Sequence, residues 1–178
     1  NNLGKYKVEY KVTGKNLFDE SKAIQGVVLR VNYEGLYSPG DLVTASNNNL
    51  CVSNYVRVSN GKTYTIPSGV NSVSACGAGF YDYDKNYVCG LPSYAPTGTP
   101  MSFTSPLDGY MRVTMYSEYD LQIEEGTVST EYEPYKEYTK TFYLNSPLLE
   151  GDTIEDINGV ATHVKRYNKV VLDGSEDE

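Results

Sequence analysis

A chain of 178 residues has room for one domain with an appendage or for two small ones, and so for a core that needs no disulfide staples. Its 18 Tyr, 4 Phe, 16 Gly and 8 Pro, without a single Trp, favour pleated surfaces joined by turns and argue against helices. A formal charge of -8 excludes the basic footprint that phosphate backbones require, so nucleic acid is not an expected partner, and it argues equally against docking on anionic lipid.

In chain order, the first 14 residues read as an N-terminal strand or linker. Asp19 to Gln25 offers a cap and at most one helical turn, because Gly26 closes it. Val27 to Tyr33 reads as a strand and Asn47-Asn48-Asn49 as a loop. Tyr55-Val56-Arg57-Val58, the turn Ser59-Asn60-Gly61-Lys62 and Thr63 to Ile66 read as two antiparallel strands, and Asn-Gly is the strongest hairpin signal in the chain. A second hairpin runs from Gly79-Phe80-Tyr81-Asp82-Tyr83 through Asp84-Lys85-Asn86 to Tyr87-Val88-Cys89. Leu91 to Pro100 holds three prolines, too many for a central strand, and reads as a rim loop. After Pro106-Leu107-Asp108-Gly109 a third strand group alternates. Met111, Val113 and Met115 lie on the face expected to meet the core, and Tyr110, Arg112, Thr114 and Tyr116 on the other.

The character changes after Glu133-Pro134-Tyr135, which places a boundary near residue 137. Beyond it come an extended stretch from Thr139 to Leu144, an acidic run from Glu150 to Asp156 read as solvated loop, one or two strands within Gly159 to Leu172, and a charged end from Gly174 to Glu178. The expected division is therefore 1–14, 15–137 and 138–178. The two flanks would expose strand edges if left alone, so they are expected to pair with each other or across an oligomer interface, which keeps a homo-oligomer open.

No apolar run approaches the ~20 residues of a membrane helix, and no membrane is an expected partner. There is no signal peptide and no initiator Met, which reads as a processed or excised piece. Cys51, Cys76 and Cys89 make an odd count without C-x-x-C spacing; they read as small buried apolar residues, with one disulfide among them left open.

Nothing in the sequence specifies catalysis, and the chain does not read as an enzyme. Glu124 and Glu125 are neighbours on a strand and point to opposite faces, so they cannot flank one glycosidic bond, and no pattern selects Glu118, Asp120 or Glu131 as a partner. His163 is the only histidine and lies in the C-terminal segment, with no G-x-S-x-G motif in the chain. No glycine-rich loop follows a strand and opens a helix, which leaves nucleotide binding without support. Asp82, Asp84 and Asn86 fit turn chemistry better than a calcium loop; a structural calcium held by residues distant in sequence stays open, and no other cofactor is implied.

Seven phrases occur in order: Gly14-Lys15-Asn16-Leu17-Phe18-Asp19, Ser53-Asn54-Tyr55-Val56-Arg57-Val58, Asn60-Gly61-Lys62-Thr63-Tyr64-Thr65, Gly79-Phe80-Tyr81-Asp82, Tyr110-Met111-Arg112-Val113-Thr114, Leu121-Gln122-Ile123-Glu124-Glu125-Gly126 and Thr130-Glu131-Tyr132-Glu133-Pro134-Tyr135. The set resembles the carbohydrate-binding-module-like jelly rolls of minor tail, baseplate and receptor-binding proteins from phages and prophages of Gram-positive bacteria. Lys165 to Gly174 resembles the strand-rich connector that follows such modules. The resemblance implies an all-β jelly-roll sandwich with a β-rich connector, placed on a virion tail outside the cell. It implies cell-surface polysaccharide and other phage tail proteins as partners. Such modules also serve as spacers or oligomerisation domains, so a structural role without a ligand is the alternative.

Sugar recognition needs flat rings against pyranose C–H faces, with polar groups beside them. Tyr110, Arg112 and Tyr116 meet that need if, as the resemblance implies, Arg57 and Tyr81 lie beside them on one sheet. The absence of Trp points to weak affinity, offset by many copies. The competing reading has these tyrosines capping sheet edges and the arginines paired with carboxylates across strands.

Overall fold

The computed structural model describes residues 6–32, 36–46, 49–66, 77–92, 100–117, 120–157 and 160–164. The chain forms two units, Thr13–Glu137 and the flanks Asn1–Val12 with Tyr138–Glu178. From the N-terminus the strands are β1 (Tyr6–Thr13), β2 (Ile24–Gln25), β3 (Val27–Leu29), β4 (Leu42–Thr44) and β5 (Leu50–Val52). Then come β6 (Val56–Val58), β7 (Thr63–Ile66), β8 (Gly77–Tyr81), β9 (Tyr87–Pro92) and β10 (Met101–Thr104). The set ends with β11 (Gly109–Tyr116), β12 (Glu124–Glu125), β13 (Glu137–Leu144), β14 (Thr153–Ile157) and β15 (Val160–Val164). Among the described residues no helix is long and apolar enough to cross a membrane. Glu20–Lys22 forms a 3-10 turn capped by Asp19, whose carboxylate accepts the Ser21 N–H at 3.1 Å.

The larger unit is an all-β sandwich, as the composition leads one to expect. One antiparallel sheet has the order β2-β5-β11-β8-β9, with β6 also paired to β11; the other has the order β10-β7-β12. From β6 onward the chain passes repeatedly between them: β7, β10 and β12 lie in the smaller sheet, and β8, β9 and β11 in the larger. Both sheets turn side chains into one core, the larger sending Val56, Val58, Phe80, Met111, Val113 and Met115, the smaller Tyr64, Ile66, Met101 and Phe103. The expected core face of β11 holds, since Met111, Val113 and Met115 are wholly buried. Full burial contributes about 1.5–3 kcal/mol for a side chain of that size, so this central strand is a main source of the sandwich's stability.

Two expectations about the larger sheet are corrected. The Ser59-Asn60-Gly61-Lys62 turn forms, with Gly61 at φ 76° and the Lys62 N–H donating to the Ser59 carbonyl at 3.1 Å, yet the strands it joins do not pair. β6 pairs with β11, and β7 with β10 and β12. The turn is a corner between layers because Val56, Val58, Tyr64 and Ile66 bury one another only when the two strands sit in opposite sheets. Tyr64 braces that corner, its hydroxyl accepting the Ser59 N–H at 2.9 Å.

The second correction concerns the outward face of β11. It is roofed at its C-terminal half by the β3–β4 hairpin, whose Leu29 N–H donates to Thr114 Oγ1 at 2.9 Å. Leu29, Val31, Val52 and Tyr81 form a second apolar cluster on this side, and Val28 with Leu50 a third. Period-two alternation identifies which residues share a face but not whether another layer covers it.

Smaller differences follow the same physics. β3 ends at Leu29, shorter than expected, and Tyr33 lies outside the described residues. The hairpin β8–β9 forms as expected, with a bulge between Phe80 and Tyr81. β9 continues to Pro92, into the segment expected as a rim loop; it is the edge strand, where a missing N–H is tolerated. The remaining rim-loop residues 93–99, with Asn47, Asn48, Cys76, Glu118 and the end from Lys165 to Glu178, lie outside the described residues.

In the smaller unit β1 pairs with β13, so the two flanks meet each other. The acidic run is partly strand rather than loop, because Thr153–Ile157 pairs with Val160–Val164. His163 sits in that ribbon with Nε2 at 2.8 Å from Asp152 Oδ2.

Candidate ligand-binding surface

Three strands of the larger sheet carry aromatic and cationic residues at period two: Tyr55 and Arg57 at β6, Tyr81 and Tyr83 at the end of β8, and Tyr110 and Arg112 on β11. Pairing aligns them. Arg57 is opposite Tyr110, Tyr110 is opposite Tyr81, and Arg112 is opposite Gly79. Residues in register on neighbouring strands share a face, so four of the five sequence-predicted residues, Arg57, Tyr81, Tyr110 and Arg112, come together.

The rings meet edge to face. Tyr55 lies 5.1 Å from Tyr81 and 5.9 Å from Tyr110 between centroids, Tyr81 lies 5.6 Å from Tyr87, and Tyr83 lies 6.4 Å from Tyr110. Three cations attach to this cluster. The Arg57 guanidinium is 4.2 Å from the Tyr83 ring centre and 5.8 Å from that of Tyr110. The Lys85 ammonium is 5.1 Å from Tyr55 and 6.0 Å from Tyr110, and the Arg112 guanidinium is 4.7 Å from Tyr55. All five distances fall within the range at which a ring quadrupole attracts a cation.

Burial divides the cluster into a floor and an open rim. Arg112 is only 5 % exposed and its Nε donates to the Ser53 carbonyl at 2.9 Å, which makes it a support for Tyr55 rather than a group free to meet a ligand. Tyr81 is 4 % exposed, and burial pushes its phenol far above the ordinary range, an effect that the Arg112 charge only partly offsets. Tyr110 and Tyr55 are half-buried, while Arg57, Lys85 and Tyr83 are exposed, Tyr83 by 53 %. Tyr116, the fifth predicted residue, is not part of this surface; it packs half-buried against Val28 and Leu50.

Tyr55, Tyr83, Lys85 and Tyr87 are additions that the sequence reading missed. For Tyr55 and Tyr83 a signal existed, since each stands two residues from a selected one. Lys85 carried none: it is placed by the β8–β9 turn, where it adopts φ 64°. Asp82 builds that turn. Its Oδ1 accepts the N–H groups of Asp84 and Asn86 at 2.9 and 2.8 Å, and its Oδ2 the Asn86 amide at 3.0 Å. Those bonds hold the Asp82 carboxyl below its ordinary pKa and commit its oxygens to the loop, as turn chemistry requires. Among the described residues no group of three His, Cys, Asp or Glu stands where it could hold a metal ion.

The two adjacent glutamates considered for catalysis are committed elsewhere. Glu124 is buried and accepts the Thr130 N–H and hydroxyl at 2.9 and 2.6 Å, whereas Glu125 is exposed and pairs with Lys62 at 2.9 Å, so the neighbours do face opposite ways. A separate cleft of about 480 Å³ opens beside Asn16, Asp19, Glu20, Asp120, Tyr132 and Tyr135, and none of the five residues expected to contact sugar lines it. Within it Asp19 is paired with Lys22 at 2.7 Å. Comparison with family models, with curated proteins and with solved structures returns no match.

Proposed function

We propose that the sandwich is a non-catalytic attachment module of a phage or prophage tail protein, which holds cell-surface carbohydrate through stacking and hydrogen bonds. The observation that carries this reading is the tyrosine cluster on the larger sheet: Tyr83 and the half-buried Tyr110 and Tyr55 present rings at an open rim, held in place by Tyr81 and Arg112 beneath. Such rings suit the C–H faces of pyranoses, and rings already fixed by neighbours lose little entropy when a sugar docks. Covalent chemistry is not part of the reading, because Glu124 and Glu125 stand on opposite faces and Glu124 is spent on Thr130. On this reading the protein works on the virion, outside the cell, beside other tail proteins, and weak single-site affinity is raised by many copies.

The test is titration of purified Gram-positive wall polysaccharides against the protein and its Tyr83→Ala and Tyr110→Ala variants. Binding that weakens in both variants supports the reading. Undiminished binding in both moves the site, with the acidic cleft the next place to mutate. An intact fold that binds no saccharide favours a spacer or oligomerisation domain.

A further inference from the structure

The open cations of the cluster carry more information than its rings. The chain bears a net charge of -8, so its acidic groups outnumber its cations, and an exposed Lys or Arg has carboxylates to pair with. Lys7, Lys15, Lys22 and Lys62 each pair with a carboxylate. Among the described residues Arg57, Lys85 and Arg112, like Lys136 and Lys140, form no ion pair, but these three instead stand against tyrosine rings, with Arg112 also bonded to the Ser53 carbonyl. The turn that carries Lys85 also carries Asp82 and Asp84, but the Asp82 oxygens are turned onto the loop's own N–H groups.

Two of these cations are placed for a ligand. The Arg57 guanidinium and the Lys85 ammonium lie 5.8 and 6.0 Å from the centre of the same ring, Tyr110, and both residues are exposed. A sugar resting on Tyr110 would therefore have a cation in reach of its ring substituents. Lys85 is held there at φ 64°, a left-handed conformation that L-residues other than glycine seldom adopt.

We infer that the surface selects anionic saccharides, with a carboxylate or phosphate substituent, over neutral ones, the anion being taken by Arg57 and Lys85 while a ring stacks on Tyr110 with Tyr83 at its edge. The inference rests on the carbohydrate reading above and narrows it to a substrate class. Charge-assisted bonds from a guanidinium to carboxylate or phosphate are about twice as strong as neutral ones, and the planar fork of Arg fits both anions. Because the rim is exposed, the interaction is screened by salt.

The experiment compares the same sugar with and without its charge. NMR titration follows the tyrosine resonances with trigalacturonate against its methyl ester, and with phosphorylated maltotriose against maltotriose. These two pairs distinguish carboxylate from phosphate. The expected result is about ten-fold tighter binding of at least one charged form at low salt, a preference that shrinks toward unity at 0.5 M salt and in Arg57→Ala and Lys85→Gly. Lys85→Gly is chosen because glycine adopts the left-handed turn without strain, so its fold is expected to survive. Equal binding of charged and neutral forms overturns the inference and leaves carbohydrate attachment standing. A charge preference that both variants retain overturns the assignment to Arg57 and Lys85. Failure of the charged and neutral sugars and of the wall polysaccharides alike overturns the attachment reading itself.

Discussion

Asn16 provides the sharpest test of how the sandwich is held together. It is 2 % exposed, and its amide makes four bonds to three separate stretches of chain. Nδ2 donates to the carbonyls of Leu121 and Glu133 at 3.0 and 2.9 Å, and Oδ1 accepts the N–H groups of Phe18 and Ile123 at 2.9 and 3.2 Å. At about 1 kcal/mol net for each bond, Asn16→Ala is expected to cost about 4 kcal/mol, because two donors and two acceptors of the backbone lose their partner together. Against a total stability of about 5–15 kcal/mol that is a large share. With a urea slope near 2 kcal/mol/M the unfolding midpoint should fall by about 2 M. Asn16→Asp separates geometry from bonding: it keeps the shape but sets a buried carboxylate against two carbonyl oxygens. It should be no more stable than the alanine variant at pH 7 and should recover in part on acidification, when a proton restores one donor. A midpoint within 0.5 M of the unaltered protein for Asn16→Ala, or an unaffected Asn16→Asp at neutral pH, would refute the reasoning that this amide ties the three stretches together.

Acid sensitivity should come in part from Glu124. Burial pushes its pKa up, but the two bonds from Thr130, with the charge of Lys15 adding to them, outweigh it, so the folded value lies below the ordinary 4.5. Its contribution is therefore complete above the unfolded value and is lost as pH falls through the lowered folded one. Urea midpoints of Glu124→Gln should converge with those of the unaltered protein between pH 5 and pH 3, and parallel curves would contradict the assignment. The thiols should differ in reactivity. Burial, helped by the charge of Glu20, pushes Cys51 up to about 11, while Cys89 is only half-buried. Iodoacetamide at pH 8 should label Cys89 well before Cys51 in the folded protein, read by peptide mass mapping; equal rates would mean that the core opens around Cys51 far more often than its burial implies.

Local chemistry was enough to read the class of fold. The Asp82 to Asn86 turn and its hairpin follow from residues that form their bonds within a few positions of one another, and so does the alternation that buries Met111, Val113 and Met115. Composition alone made a helical fold untenable. The same local signals misread the Asn60-Gly61 turn as a paired hairpin, because a turn's backbone angles do not say which sheet each arm will join. That choice was made by Val56, Val58, Tyr64 and Ile66 facing one another across the core.

The candidate site divides along the same line. Period two placed Tyr110 with Arg112 and could have added Tyr55 to Arg57 and Tyr83 to Tyr81, since a strand fixes its own faces. Which strands lie side by side, and which faces a further layer covers, depends on long-range burial that no short window contains. Only the register of β6, β11 and β8 joined Arg57, Tyr110 and Tyr81, only the β3–β4 hairpin separated Tyr116 from them, and only the turn after β8 brought Lys85 to the rings. The sequence by itself determined the strands, their faces and the acidic surface. Tertiary packing decided which cations escaped that acidity and stand against tyrosine, because pairing across strands is set by the burial of the whole core.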